Sequence, residues 1–183
     1  MPQLLDTLSE LAPYAATFTR LAALVTAVVR RSVYLSLLSD HPRALRRLIE
    51  LFDASPWIAH QVIQQPLLLD ELIDPRILFA PPRPKELTNQ LKNLLVRYGK
   101  DNVEHVMDTL REFKNQQVLR VAASDVMDQF PVAEVSNQLS YIAQALLHHA
   151  HRVANDQLSR KHGEPRWGNA NESRRAGFAI IAY

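Results

Sequence analysis

The chain has 183 residues, 47% of them hydrophobic, a formal net charge of +2 and no cysteine. That length supports one packed core, or a core with an appendage, and the lack of cysteine excludes disulfides and thiolate metal sites. No apolar run approaches the ~20 residues of a membrane helix, and Met1-Pro2-Gln3-Leu4-Leu5-Asp6 is no secretory signal, so a cytoplasmic protein without a membrane partner is expected.

Apolar residues recur at helical spacing over 2–12 (Leu4, Leu8, Leu11) and 16–30 (Leu21, Leu24, Val25, Val28, Val29). Ser32 is suited to cap a short helix carrying Val33, Leu35, Leu37 and Leu38. Asp40-His41-Pro42 ends it and opens the next, with Pro42 in the first turn and Leu45, Leu48, Ile49 and Phe52 on the buried face. Ser55-Pro56 repeats the device before Trp57, Ile58, Val62 and Ile63, and Gln65-Pro66 repeats it before Leu67, Leu68, Leu69, Leu72 and Ile73. Each proline forbids continuation, so these helices turn sharply. Residues 1–74 form this short-helix region. Pro75, Pro81, Pro82 and Pro84 make 75–84 a stiff connector.

The helices then lengthen. Residues 85–98 form one, ended by Gly99. Asp101 can cap a second, carrying Val103, Val106, Met107, Leu110 and Phe113 to about Phe130, and Pro131 opens a third with the stripe Val135, Leu139, Ile142, Leu146 and Val153. The long helices of 85–163 should pair as a hairpin, Leu139, Ile142 and Leu146 against Val106, Leu110 and Phe113. Residues 164–183 read as a polar loop followed by the apolar, β-favouring run Gly177 to Tyr183. No ladder partner for that run is visible, which suggests the first strand of a further domain. Here it is expected to be mobile or self-associating. The fold class is thus all-α, a multi-helix bundle with that terminal exception.

Few residues invite chemistry. His148, His149 and His151 share one turn, but a helical metal site needs ligands from a second helix, so a solvated or satisfied face is the plainer reading. Glu104 and Asp108 share a face at i, i+4, again without a second half, and read as a polar surface beside Arg111 and Lys114. Lys114, Arg120 and Asp125 interrupt an apolar helix and should bridge to neighbouring helices, because charges beside a packed face are usually paired. Arg43, Arg46 and Arg47, with Arg30 and Arg31 upstream, are the one basic cluster. With charges of both signs interspersed, it reads as surface rather than a nucleic-acid track. No phosphate-cradling glycine loop, nucleophile elbow or Cys/His pair occurs. No catalytic, cofactor-binding or metal-binding residue is assigned.

An ordered set of stretches is more specific. Arg30-Arg31-Ser32-Val33-Tyr34 precedes His41-Pro42. Ser55-Pro56-Trp57 and Pro66-Leu67-Leu68-Leu69-Asp70-Glu71-Leu72-Ile73-Asp74 follow. Then come Phe113-Lys114, Gln117-Val118-Leu119-Arg120, Asp125 and Val135-Ser136-Asn137-Gln138-Leu139-Ser140. In this order they resemble the bacterial bifunctional glutamine synthetase adenylyltransferase/adenylyl-removing enzymes, in the region leading into the adenylyl-transferring half. The resemblance implies a helical part of an enzyme that uses ATP and magnesium to attach AMP to glutamine synthetase, under control of a PII signalling protein. The family's Ser-Asp-x-Asp stretch, which would hold magnesium, follows a strand like 178–183 and does not occur here. The matched residues are therefore packing and capping types, and the chain alone is expected to be inactive. An independent helical adaptor without enzymatic activity is the alternative.

Overall fold

The computed structural model describes residues 15–29, 32–74, 78–80, 82–98, 102–168 and 173–181. The helix expected over 2–12 and the arginines Arg30 and Arg31 lie outside these. Eight α-helices occur among the described residues: α1 (Ala15–Val28), α2 (Ser32–Asp40), α3 (Pro42–Ala54), α4 (Pro56–Gln64), α5 (Leu69–Ile73), α6 (Pro84–Tyr98), α7 (Val103–Val126) and α8 (Val132–His162). The chain divides into two compact units, Met1–Pro82 with Asn115–Leu139, and Arg83–Lys114 with Ser140–Tyr183. The all-α bundle read from the sequence is the fold.

The first unit is built on proline-started helices. Pro42 occupies the first turn of α3. Ser55 caps α4, its hydroxyl accepting the Ile58 N–H at 3.3 Å, with Pro56 beside it; this satisfies one of the donors that a helix start leaves open. After Gln65 the chain makes a 3-10 turn, Pro66–Leu68, before α5. The sequence pattern suggested one helix there; a leading 3-10 turn gives the tighter bend. Leu21, Leu24 and Val28 of α1 meet Leu48, Leu51 and Phe52 of α3 and Ile58, Ala59 and Val62 of α4 in one core. Thr17 and Arg20 tie α1 to the end of α3: the Thr17 hydroxyl donates to the Asp53 carboxylate, and Arg20 donates to the Phe52 carbonyl at 2.6 Å. Leu78 sits in this core with Leu119 and Ala123 of α7.

Asn102 caps α7, its Oδ1 accepting the N–H groups of Glu104 and His105 at 3.1 and 3.3 Å; Asp101, the expected cap, lies outside the described residues. The helix ends at Val126, not near Phe130. Asp128 takes φ +52, while its N–H bonds the Asp125 carbonyl and the Gln129 N–H bonds the Ser124 carbonyl. That pair of bonds closes the helix in a Schellman turn, with aspartate where glycine is the usual occupant.

In the second unit Leu87, Leu91 and Leu95 form the buried stripe of α6. The Arg83 N–H donates to the Glu86 carboxylate at 2.9 Å, half of a capping box at the α6 start. Val106, Leu110 and Phe113 of α7 are buried, as the period suggested, whereas Met107 and Val103 are exposed. On α8 the buried positions of its whole length are Gln138, Ile142, Ala145 and His149. Of the expected stripe only Ile142 is fully buried, and Leu139 is 42% exposed. Gly163, φ +81, follows the helix, as the sequence indicated.

The segments 164–168 and 173–176, expected to be loop, carry a short strand pair. Arg166–Trp167 pairs antiparallel with Arg174–Arg175, fastened by Arg166 donating to the Ser173 hydroxyl at 2.7 Å and by the Ala176 N–H on the Pro165 carbonyl. The apolar run that follows forms no strand over 177–181; Phe178 is 72% exposed, its ring stacked on His151 at 4.8 Å.

Candidate functional site

The most constrained polar cluster of the first unit surrounds Arg120. α7 carries Gln117, Arg120 and Ser124 on one face, at i, i+3 and i+7. Arg120 reaches Glu71 of α5, Nε to Oε2 3.8 Å, and donates to the Ala80 carbonyl at 3.2 Å and to Gln117 Oε1 at 3.3 Å. Ser124 donates to the Leu78 carbonyl at 3.1 Å. Residues 78–80 are thus held on α7 by two side chains that satisfy backbone acceptors no helix provides for. Burial pushes the Glu71 carboxyl above its ordinary pKa, against the attraction of Arg120, with Asp70 adding to the rise. Burial also lowers the Arg120 pKa, opposed by Glu71. The two directions agree: desolvation outweighs mutual attraction at 3.8 Å. The expectation that Arg120 bridges to a neighbouring helix holds, with Glu71 as partner, while Asp125 stays exposed.

A second feature lies along α3. Pro42, Arg43, Arg46, Arg47 and Glu50 form one wall of an open groove of about 480 Å³, and Phe79, Met127 and Gln129 form the other. Arg47 is engaged: its guanidinium lies 5.6 Å from the Phe79 ring centroid and donates to the Leu72 carbonyl at 3.3 Å.

The histidines do not converge. His149 is buried and faces the Thr88 carbonyl of α6, Nε2 to oxygen 3.0 Å. A carbonyl only accepts, so Nε2 carries the proton. Burial lowers the His149 pKa, the Thr88 contact opposes this, and His148, Arg152 and Lys92 add to the lowering. His148 meets His149 edge-on and His151 stacks on Phe178. Asp108 pairs with Arg111 at 2.9 Å. Among the described residues no three His, Asp or Glu side chains are placed to hold a metal ion, and no helix is long and apolar enough to cross a membrane.

The remaining motif residues are scattered. Tyr34 and Phe113 are buried. Pro42, Ser55 and Pro66 start helical segments, Ser32 begins α2, and Asp74 ends α5, its carbonyl accepting the Leu78 N–H. Trp57, Asp70, Lys114 and Ser136 are exposed. Glu71, Gln117 and Arg120 are drawn together. Sequence reasoning did not foresee the carbonyls of Leu78 and Ala80 as their partners, because no side chain marks a backbone acceptor.

The family model for glutamate-ammonia ligase adenylyltransferase matches residues 45–183. The bifunctional glutamine synthetase adenylyltransferase/adenylyl-removing enzyme of Thioalkalivibrio sulfidiphilus (strain HL-EbGR7) is 42% identical over 183 residues, covering 100% of this chain and 19% of that protein. The enzyme of the same name from Hahella chejuensis (strain KCTC 2396) is 42% identical over 185 residues, with the same coverage. The chain spans 19% of the length of these relatives. With three quarters of its residues inside the family match and its whole length aligned to these enzymes, this chain belongs to the glutamate-ammonia ligase adenylyltransferase family.

Proposed function

We propose that this chain is a non-catalytic helical portion of an enzyme that adenylylates and de-adenylylates glutamine synthetase, and so regulates nitrogen assimilation. The observation that carries the reading is the 42% identity across all 183 residues to enzymes of that name. Within that alignment the chain offers structure rather than chemistry. Polar side chains at least half-buried fasten helices and backbone, as with Arg120 on Ala80 and His149 on Thr88.

ATP and magnesium belong to this reading as the co-substrate and cofactor of the whole enzyme. The donor set of the described residues does not fit them: no three His, Asp or Glu side chains are grouped to hold a metal ion, and magnesium bound with nucleotide phosphates takes carboxylate ligands. No step is therefore assigned to this chain's side chains. Its role is mechanical, to hold the nucleotidyltransferase domain and relay the state of a PII-class regulator. The site of action is the cytoplasm, where glutamine synthetase and ATP are found together.

The test is exchange. This chain is put in place of the matching stretch of the Hahella enzyme, and AMP transfer to glutamine synthetase is measured with labelled ATP. The chimaera should retain transfer, and the isolated chain should show none. A folded chimaera without transfer, or an isolated chain with it, overturns the reading.

A further inference from the structure

The groove beside α3 has no part in the architecture described so far. We propose that it is a binding site for a small molecule carrying oxyanion groups, of the phosphate or polycarboxylate class. Arg43, Arg46 and Arg47 stand at i, i+3 and i+4, so all three project from one face of α3, and all three line the groove. Its volume of about 480 Å³ lies within the range of roughly 300–1,000 Å³ typical of small-molecule sites.

The charges are arranged against the interests of the free protein. Arg43 lies in the first turn of α3, which contains no acidic residue. The aligned peptide dipoles make that end positive and disfavour a cation there. The His41 side chain makes no capping hydrogen bond, so it does not offset this. Among the described residues Glu50 is the one carboxylate lining the groove, against three guanidinium groups. Among the described residues neither Arg43 nor Arg46 has an ion pair or a side-chain hydrogen bond. Arg47 differs, being steadied by Phe79 and Leu72. The result is one positioned guanidinium flanked by two with donors turned to solvent. A guanidinium presents paired N–H donors that match a carboxylate or phosphate. An oxyanion across Arg43 and Arg46 would relieve both their mutual repulsion and the unfavourable dipole. Phe79 and Met127 on the opposite wall provide apolar surface for the carbon body of such a ligand.

Calorimetric titration of the 183-residue chain with pyrophosphate and with citrate, against sodium chloride at matched ionic strength, tests the proposal. At least one probe should bind saturably. Arg43→Gln and Arg46→Gln should each weaken it about tenfold, the loss of one charge-assisted contact. Arg43→Lys, which keeps the charge but not the fork, should weaken it as well. Lys92→Gln, on α6 of the other unit, should change nothing. Both arginines are exposed, and circular dichroism checks that the variants keep their helices. Tighter pyrophosphate binding assigns the site to phosphates, and tighter citrate binding to polycarboxylates. The proposal is overturned if neither probe binds beyond the salt control, or if binding survives both Gln substitutions.

Discussion

Arg120 and Glu71 should respond very differently to substitution, although they form one ion pair. Arg120→Ala removes donors to the Ala80 carbonyl and the Gln117 amide and leaves Glu71 half-buried without its cation. Hydrogen bonds from charged groups contribute about 1.5–3 kcal/mol each. At 3.2 and 3.3 Å these two belong at the low end, and the 3.8 Å ion contact adds little. The expected loss is about 2–4 kcal/mol. Glu71→Gln keeps Arg120 on Ala80 and removes a carboxylate whose burial already outweighs its attraction to Arg120. It should cost less than about 1 kcal/mol at pH 7.

The pH dependence follows from the same balance. The folded pKa of Glu71 lies above the ordinary carboxylate value. Its contribution to stability is therefore full below that ordinary value and lost as pH rises through the raised one. Urea denaturation of the three proteins between pH 4 and pH 7 measures both effects. The Glu71→Gln protein should lack this loss with rising pH. If Glu71→Gln destabilises as strongly as Arg120→Ala at pH 7, the ion pair and not the backbone anchoring holds α7 to residues 78–80, and the reasoning fails.

Three further outcomes are expected. Asp128 sits at φ +52, where an L-residue is strained and glycine is not, so Asp128→Gly should raise unfolding free energy by about 0.5–1 kcal/mol in denaturant melts, and Asp128→Val should lower it. His149 should titrate below the ordinary 6.5 in an NMR pH series; because its folded pKa is depressed, its contribution to stability is present above 6.5 and lost as pH falls through the folded value, and thermal melts of wild type and His149→Gln should diverge on that acid side. Ile142→Ala should cost about 2–4 kcal/mol and Leu139→Ala under about 0.5 kcal/mol, since Ile142 is 3% and Leu139 42% exposed; equal losses in thermal melts would return the buried stripe of α8 to the position the sequence period suggested.

The sequence by itself determined several of the points where helices begin and stop. Pro42, Ser55-Pro56, Pro131 and Gly163 mark observed boundaries, because a missing N–H, a capping hydroxyl or a positive φ acts within four residues of the chain. The ordered motifs also made the family legible. Tertiary structure decided what the helices face. The buried face of α8 is Gln138, Ile142, Ala145 and His149 rather than the most apolar stripe. Hydrophobic period says that a helix has a buried side, but which residues fill it depends on the neighbours that cover them. The same holds for Arg120, paired with Glu71 and Ala80 from elsewhere in the chain. The basic groove likewise exists only because Phe79 and Met127 are brought opposite α3. Such pairings are made by closing long loops around a shared core, and no spacing within a single helix encodes them.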